Sequence, residues 1–303
     1  MPGEVAALSA AALWAVSTVI LTAGARRLGA VPLNALRSAF AALFLIVVVF
    51  ATGVADEVRD MNAATAIAMV GSGVLAMGVG DSLYFASLAI IGAALAVPIS
   101  ISVYPLLTFL IAAFWLDEEI TWRVLLGTAL IVAGVSLLVR GGSTRDAATV
   151  VPNTHPPRAG QGHGWQTGLL LILIASVAWA ISTTWLRAGS GDLGAVAAAS
   201  VRVTATAAAL GPVAYHVRRR ALPENHRWKE LAGAAAGGVL GIGVGSIAYV
   251  FAVQEAGAGK TAILTSTMPL FSLPLAVVFL RERINLLVIL GTVLCILGIW
   301  LVA

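Results

Sequence analysis

The chain has 303 residues, 60% of them apolar and only 11% charged, with a formal net charge of +4 and a mean hydropathy of +0.98. A soluble domain carries about a quarter charged residues, so the composition excludes one and points to an integral membrane protein. With so few charges, the pI of 9.7 reads as cytoplasmic loops obeying the positive-inside rule and excludes nucleic acid as a partner.

Apolar runs follow in chain order at about Val5 to Ala25, Leu33 to Thr52, Ala63 to Ala86, Leu95 to Leu116 and Val124 to Val139. A second group follows at about Gly168 to Leu186, Leu193 to Tyr215, Leu231 to Val253, Thr261 to Leu280 and Leu286 to Val302. Each is near the ~20 residues that cross a ~30 Å hydrocarbon core as a helix. Strands are excluded at these lengths, because in lipid the backbone must satisfy itself within the segment. The expected fold is therefore all-α and integral to the membrane, with ten transmembrane helices. The first span has no basic residue before it and is too long for a signal-peptide core, so it is expected to be retained. Cys295 is the single cysteine, which leaves no intrachain disulfide and no thiolate metal site.

The two groups of spans repeat one another. At an offset of 165 positions, Trp14 matches Trp179, Ser17 Ser182, Thr18 Thr183, Arg37 Arg202, Gly73 Gly238 and Tyr84 Tyr249. After one deletion, Pro105 matches Pro269, Glu118 Glu282, Gly127 Gly291 and Gly134 Gly298. A duplication this long decides the architecture. Five spans is an odd number, so the copies enter the membrane from opposite faces, as two inverted five-helix repeats. The loop charges test this independently. The loop Gly53 to Asn62 carries only Arg59 among three acids, whereas its counterpart His216 to Glu230 carries five basic residues. Over all loops the bias is twelve against four, placing the odd-numbered loops in the cytoplasm and both termini outside. The polar, Gly- and Pro-rich stretch around 141–166 reads as a linker between a first repeat, 1–140, and a second, 167–303.

Two further segments carry a shared pattern. Asp117-Glu118-Glu119-Ile-Thr-Trp-Arg-Val-Leu-Leu-Gly127-Thr and Arg281-Glu282-Arg283-Ile-Asn-Leu-Leu-Val-Ile-Leu-Gly291-Thr each follow a Pro-containing span and lead into a Gly-containing one. With an Arg early in the second span and a Gly-rich third span, each copy resembles the EamA repeat of the drug/metabolite transporter superfamily. The resemblance covers nearly the whole chain, twice. It implies a ten-helix secondary transporter with a central cavity between the repeats, exporting amino acids or other small metabolites. It also implies termini in the cytoplasm, opposite to the charge count.

Inverted-repeat transporters bind substrate near the midplane, between the repeats, so the site is expected to be pseudo-symmetric. Trp14, Ser17 and Thr18 on the first span, with Trp179, Ser182 and Thr183 on the sixth, offer ring walls and hydroxyls to a substrate, or else pack helices together. Asp81 is the only acid well inside a span, where a carboxylate costs roughly 2.5 to 3.5 kcal/mol unless paired or hydrated. It either faces the cavity, carrying a coupling proton or a substrate amine, or reaches water from a helix end. Its counterpart is Ser246. Arg37 and Arg202 either anchor a substrate carboxylate or tie the structure to headgroup or backbone. Ser102 and Tyr104, beside Pro98 and Pro105, and Thr265 and Ser266, ahead of Pro269, mark the fourth and ninth spans as gates, since proline frees a carbonyl that cavity hydroxyls can satisfy. Tyr84 and Tyr249 stand among glycines of spans three and eight. Glu118 and Glu282 read as interfacial caps. Gln254-Glu-Ala-Gly257-Ala-Gly259-Lys260-Thr261 lacks the first glycine of a phosphate loop and follows no strand.

No catalytic constellation, metal site or cofactor motif is evident. The expectation is a multi-pass protein of the inner (plasma) membrane, monomer or homodimer. It would export small amphipathic metabolites by alternating access, with protons as a possible coupling ion. A lipid-linked flippase and a non-transporting membrane scaffold are the alternatives.

Overall fold

The computed structural model describes residues 2–28, 30–119, 121–141, 163–218, 227–271 and 286–302. Most of the expected linker, Arg219 and Arg220 of the basic loop, and Glu282 with the end of the ninth span lie outside these residues.

Every regular element among the described residues is helical. The N-terminal half contains α1 (Pro2–Leu28), α2 (Ala30–Thr52), the short α3 (Ala55–Asp60), α4 (Ala63–Gly73), α5 (Asp81–Ile91), α6 (Ala93–Trp115) and α7 (Trp122–Gly141). The C-terminal half contains α8 (His163–Gly189), α9 (Ala195–Arg218), α10 (Arg227–Gly237), α11 (Gly245–Ala256), α12 (Ala258–Thr265) and α13 (Leu286–Val302). Among the described residues, five helical stretches are long and apolar enough to cross a membrane: Val31–Thr52, Ala63–Leu88, Gly164–Gly189, Ala195–Pro212 and Leu231–Ala256. Shorter apolar helices lie at Ile99–Trp115, Trp122–Leu138 and Leu286–Val302.

Hydroxylated residues sit inside these helices at little cost, because their side chains bond the carbonyl one turn back, as Thr128 Oγ1 does to Val124 O at 2.6 Å and Ser136 Oγ to Val132 O at 2.7 Å. The outer surface is what lipid requires. Phe50 is 72% and Phe114 88% exposed, a display that water would penalise. Exposed tryptophans stand near helix ends, with Trp115 closing α6, Trp122 opening α7, Trp228 opening α10 and Trp300 closing α13, the placement of an interfacial aromatic belt.

Two spans depart from the expected continuous α-helix. Between α4 and α5 the backbone is π-helical over Val74–Gly80, and between α10 and α11 over Gly238–Val244. At the 165-residue offset these stretches overlap at all but one position, and they contain Gly78, Gly80, Gly241 and Gly243. Wider turns of this kind occur mostly at functional sites. The ninth span also differs: α12 stops at Thr265 and turns through Ser266 and Thr267 before helix resumes at 268–271. Pro269 has no N–H to offer the carbonyl one turn back, and three consecutive hydroxyls compete for nearby carbonyls, Thr265 with Thr261 O, Ser266 with Ala262 O and Thr267 with Leu264 O. α6, by contrast, runs unbroken through Pro98 and Pro105.

Gly92, with φ +76°, separates α5 from α6, and Gly257, with φ +89°, separates α11 from α12. Such φ values are open to glycine and strained for other residues, so each third span reverses directly into the fourth.

Packing joins the halves. α1 lies against α10, α11 and α12, α8 against α4, α5 and α6, α2 against α9, and α7 against α13. Along α7 and α13 four glycines let the backbones touch. A methyl added at Gly134 would sit 2.7 Å from Gly291 O and one at Gly291 2.7 Å from Gly134 O, while Gly127 and Gly298 stand in the same reciprocal relation. Small residues are what permit so close an approach in lipid. Buried Cys295 faces Ile131 O in this seam.

Candidate functional site

The first helix of each half bonds the π-helical stretch of the other. Trp14 Nε1 donates to Gly241 O at 3.0 Å and Ser17 Oγ to Gly237 O at 2.7 Å. In the opposite sense, Trp179 Nε1 donates to Ala76 O at 3.2 Å and Ser182 Oγ to Ser72 O at 2.7 Å. The tryptophans thus bond carbonyls within the π-turns and the serines carbonyls just ahead of them. Glycine makes the approach possible. A methyl at Gly80 would meet the Trp179 ring and one at Gly245 the Trp14 ring; methyls at Gly73 and Gly238 would fall on the backbones of Arg202 and Arg37.

Ser17 and Ser182 are thereby committed to the opposite half, and Thr18 bonds back to Trp14 O. Thr183 does more: its Oγ1 bonds Trp179 O at 2.8 Å and also meets Tyr249 Oη at 2.6 Å. Tyr104 Oη, midway along α6, lies 3.2 Å from both Thr183 Oγ1 and Tyr249 Oη. Three helices thus pool their hydroxyls, each able to donate or accept, and Thr265 of α12 also bonds Tyr104. Aromatic rings extend the set in both directions. Trp14 packs on Tyr249 with centroids 5.4 Å apart, and Trp179 packs on Tyr84 at 5.3 Å and edge-on to Tyr104 at 5.9 Å. Tilted and edge-on pairs are the arrangements that ring quadrupoles favour.

One ion pair adjoins these rings. Arg37 Nη2 donates to Asp81 Oδ2 at 3.0 Å, with side chains 14% and 22% exposed. Trp179 Nε1 gives Asp81 Oδ1 a second bond at 3.1 Å. Arg37 Nε donates to Asn34 Oδ1 at 2.9 Å, and Asn34 Nδ2 reaches Met77 O at 3.0 Å. The guanidinium also lies 5.3 Å from the Phe85 ring centroid, a cation–π contact. Asp81 sits at the junction of the π-turn and α5, well within the Ala63–Leu88 span, and its pairing with Arg37 is a contact the sequence did not indicate. Arg202 differs from its counterpart: it is 3% exposed and its Nη1 donates to Ser72 Oγ.

Nine of the expected residues, Trp14, Arg37, Asp81, Tyr84, Tyr104, Trp179, Thr183, Tyr249 and Thr265, form one connected group through these contacts. Thr265 and Ser266 are buried and bond within α12, and Ser102 lies on α6 two residues before Tyr104. Asn34, Ser72, Ala76 and Met77 were not expected. Only Asn34 had a signal, as an amide three residues before Arg37 on one helix face. Glu118 is a cap, but across the halves: its carboxylate accepts from Ala258 N at 2.7 Å and Gly259 N at 3.0 Å at the start of α12. The amides a phosphate would need in the Gly257 segment are thus already taken.

The chain is 24% identical over 296 residues to a protein of Archaeoglobus fulgidus described as an uncharacterized transporter, spanning 97% of this chain and 95% of that one. A solved crystal structure with 18% sequence identity aligns with a TM-score of 0.78, covering 99% of this chain and 95% of the other, a likeness of fold. The class is thus a multi-pass membrane transporter, which works in lipid on a small-molecule substrate. Residues 1–140 and again 166–303 match the EamA-like transporter family, and the chain belongs to it.

Proposed function

We propose that the protein is a secondary-active exporter of small amphipathic metabolites, amino acids or drug-like compounds, with ten transmembrane helices arranged as two inverted five-helix repeats, 1–140 and 167–303. The observation that carries this reading is the reciprocal bonding of α1 and α8 to the opposite half's π-turns, which leaves one polar, aromatic centre between the halves. A rocking motion of one repeat against the other would expose that centre to each side in turn. Trp14, Tyr84, Trp179 and Tyr249 form its walls, and Tyr104 and Thr183 its hydroxyls, with Ser102, Thr265 and Ser266 on the neighbouring helices. Ser17, Thr18 and Ser182 hold the frame. α6 and the broken helix after Thr265 act as gates.

Asp81 is the coupling group in this proposal. A proton arriving there dissolves the bond to Arg37, which keeps Asn34, and weakens the acceptor of Trp179, so that protonation is felt by α8 of the opposite half. In this proposal the 141–166 linker and the His216 to Glu230 loop face the cytoplasm of a cell whose inner membrane holds the protein, the side that the loop charges favour.

The test is flux in proteoliposomes with radiolabelled amino acids and cationic dyes, with and without an imposed pH gradient, wild type beside Asp81→Asn. Gradient-driven flux that the variant loses is the expected result. Equal flux in both removes the coupling role and leaves a facilitator. No flux with any compound overturns the exporter and favours a lipid-linked flippase, for which a cleft of about 400 Å³ lined by Val54, Val196, Ile247 and Phe251 provides an apolar opening.

A further inference from the structure

The two halves share an arginine but not its acid. Arg37 is neutralised by Asp81, while at the position matching Asp81 at the 165-residue offset stands Ser246, 7% exposed. Among the described residues no carboxylate lies within ion-pair distance of Arg202. It hydrogen-bonds the neutral Ser72 Oγ. A guanidinium held in this way, 3% exposed and inside a transmembrane protein, keeps its charge and its forked donors, and a buried charge without a partner is strongly unfavourable.

We infer that Arg202 is the anchor for a single carboxylate on the transported compound, which takes in the C-terminal half the place that Asp81 takes in the N-terminal half. The inference rests on the transporter reading and narrows it to compounds with one carboxylate and an apolar body. The body lies on the Trp14–Tyr249 ring pair, and the Tyr104 and Tyr249 hydroxyls are donors to the second carboxylate oxygen. Arg37 already holds a carboxylate, that of Asp81, whenever the acid is ionised. Compounds with two carboxylates leave one unpaired.

The experiment measures binding, independently of flux, to the full chain in phosphatidylcholine nanodiscs. The probes are 3-phenylpropionate and its uncharged isostere 3-phenylpropionamide. A charge-assisted bond to guanidinium is worth about 10- to 100-fold in affinity, so the acid is expected to bind at least about tenfold more tightly than the amide. Ser246→Asp gives Arg202 a carboxylate of its own and is expected to remove that preference while leaving amide binding and the thermal midpoint unchanged. Arg202→Gln is expected to remove the preference as well. Should it fail to fold, Ser246→Asp decides alone, since it retains Arg202 and its bond to Ser72. Acid and amide binding alike in the wild type, or an acid preference that survives Ser246→Asp, overturns the inference. So does an acid preference that vanishes in phosphatidylglycerol nanodiscs, which would assign the site to an anionic lipid headgroup. Flux without acid preference sinks this inference and spares the transporter reading. Acid binding without flux does the reverse.

Discussion

In the N-terminal half a guanidinium meets a carboxylate; in the C-terminal half its counterpart meets a hydroxyl. Around both arginines the scaffold is otherwise the same, with a glycine on the arginine's backbone, a serine bonding a carbonyl ahead of the π-turn and a tryptophan bonding a carbonyl within it. Contacts made through backbone atoms have survived in both copies, because either half needs them to pack on the other. The carboxylate has been placed once. Symmetry therefore belongs to the frame, and asymmetry to whatever the frame handles.

The largest effects should test the frame. Gly73→Val and Gly238→Val would drive a side chain into the Arg202 and Arg37 backbones, where neither atom can step aside. Both should fail to give a monodisperse folded protein by size-exclusion chromatography, and to the same degree; a tolerant member of the pair would show that the halves are not packed equivalently. Next comes Asp81→Asn, which strands Arg37 and should cost about 3–5 kcal/mol, read as a lowered midpoint in thermal or detergent unfolding. The double variant Arg37→Gln/Asp81→Asn should regain most of it. Arg202→Gln should cost markedly less, which sharpens the contrast between the halves. Smaller again, Trp14→Phe removes one neutral hydrogen bond, about 1 kcal/mol, whereas Trp179→Phe also deprives a carboxylate of a donor and should cost about 1.5–3 kcal/mol. Ser17→Ala and Ser182→Ala should be the mildest pair, at about 1 kcal/mol each and indistinguishable.

Much of this was legible beforehand. The helical runs are written in composition, and the pairing of Ser17 with Ser182 or Gly73 with Gly238 in the recurrence of letters at a fixed offset. The connected group of Trp14, Tyr84, Tyr104, Trp179, Thr183 and Tyr249 could be named because polar and aromatic residues in apolar helices stand out. Their partners could not. Asp81 is 44 positions from Arg37, and whether the two meet depends on how α2 and α5 are rotated about their axes, which periodicity in an all-apolar helix does not encode. The π-turns were hidden for a related reason: an extra residue in one turn leaves no mark beyond glycines, which read equally well as packing faces. The break after Thr265 was half visible, as Pro269 gave a bend and three successive hydroxyls turned it into an interruption.

The seam between α7 and α13 holds the chain's one thiol, fully buried against Ile131 with glycine backbones on either side. Maleimides that cannot cross lipid will not reach Cys295, so the natural protein already serves as a silent background for single-cysteine labelling. A reporter placed at Gly53 and another in the 141–166 linker would then settle which membrane face each occupies in intact cells, with no engineered thiol-free version needed.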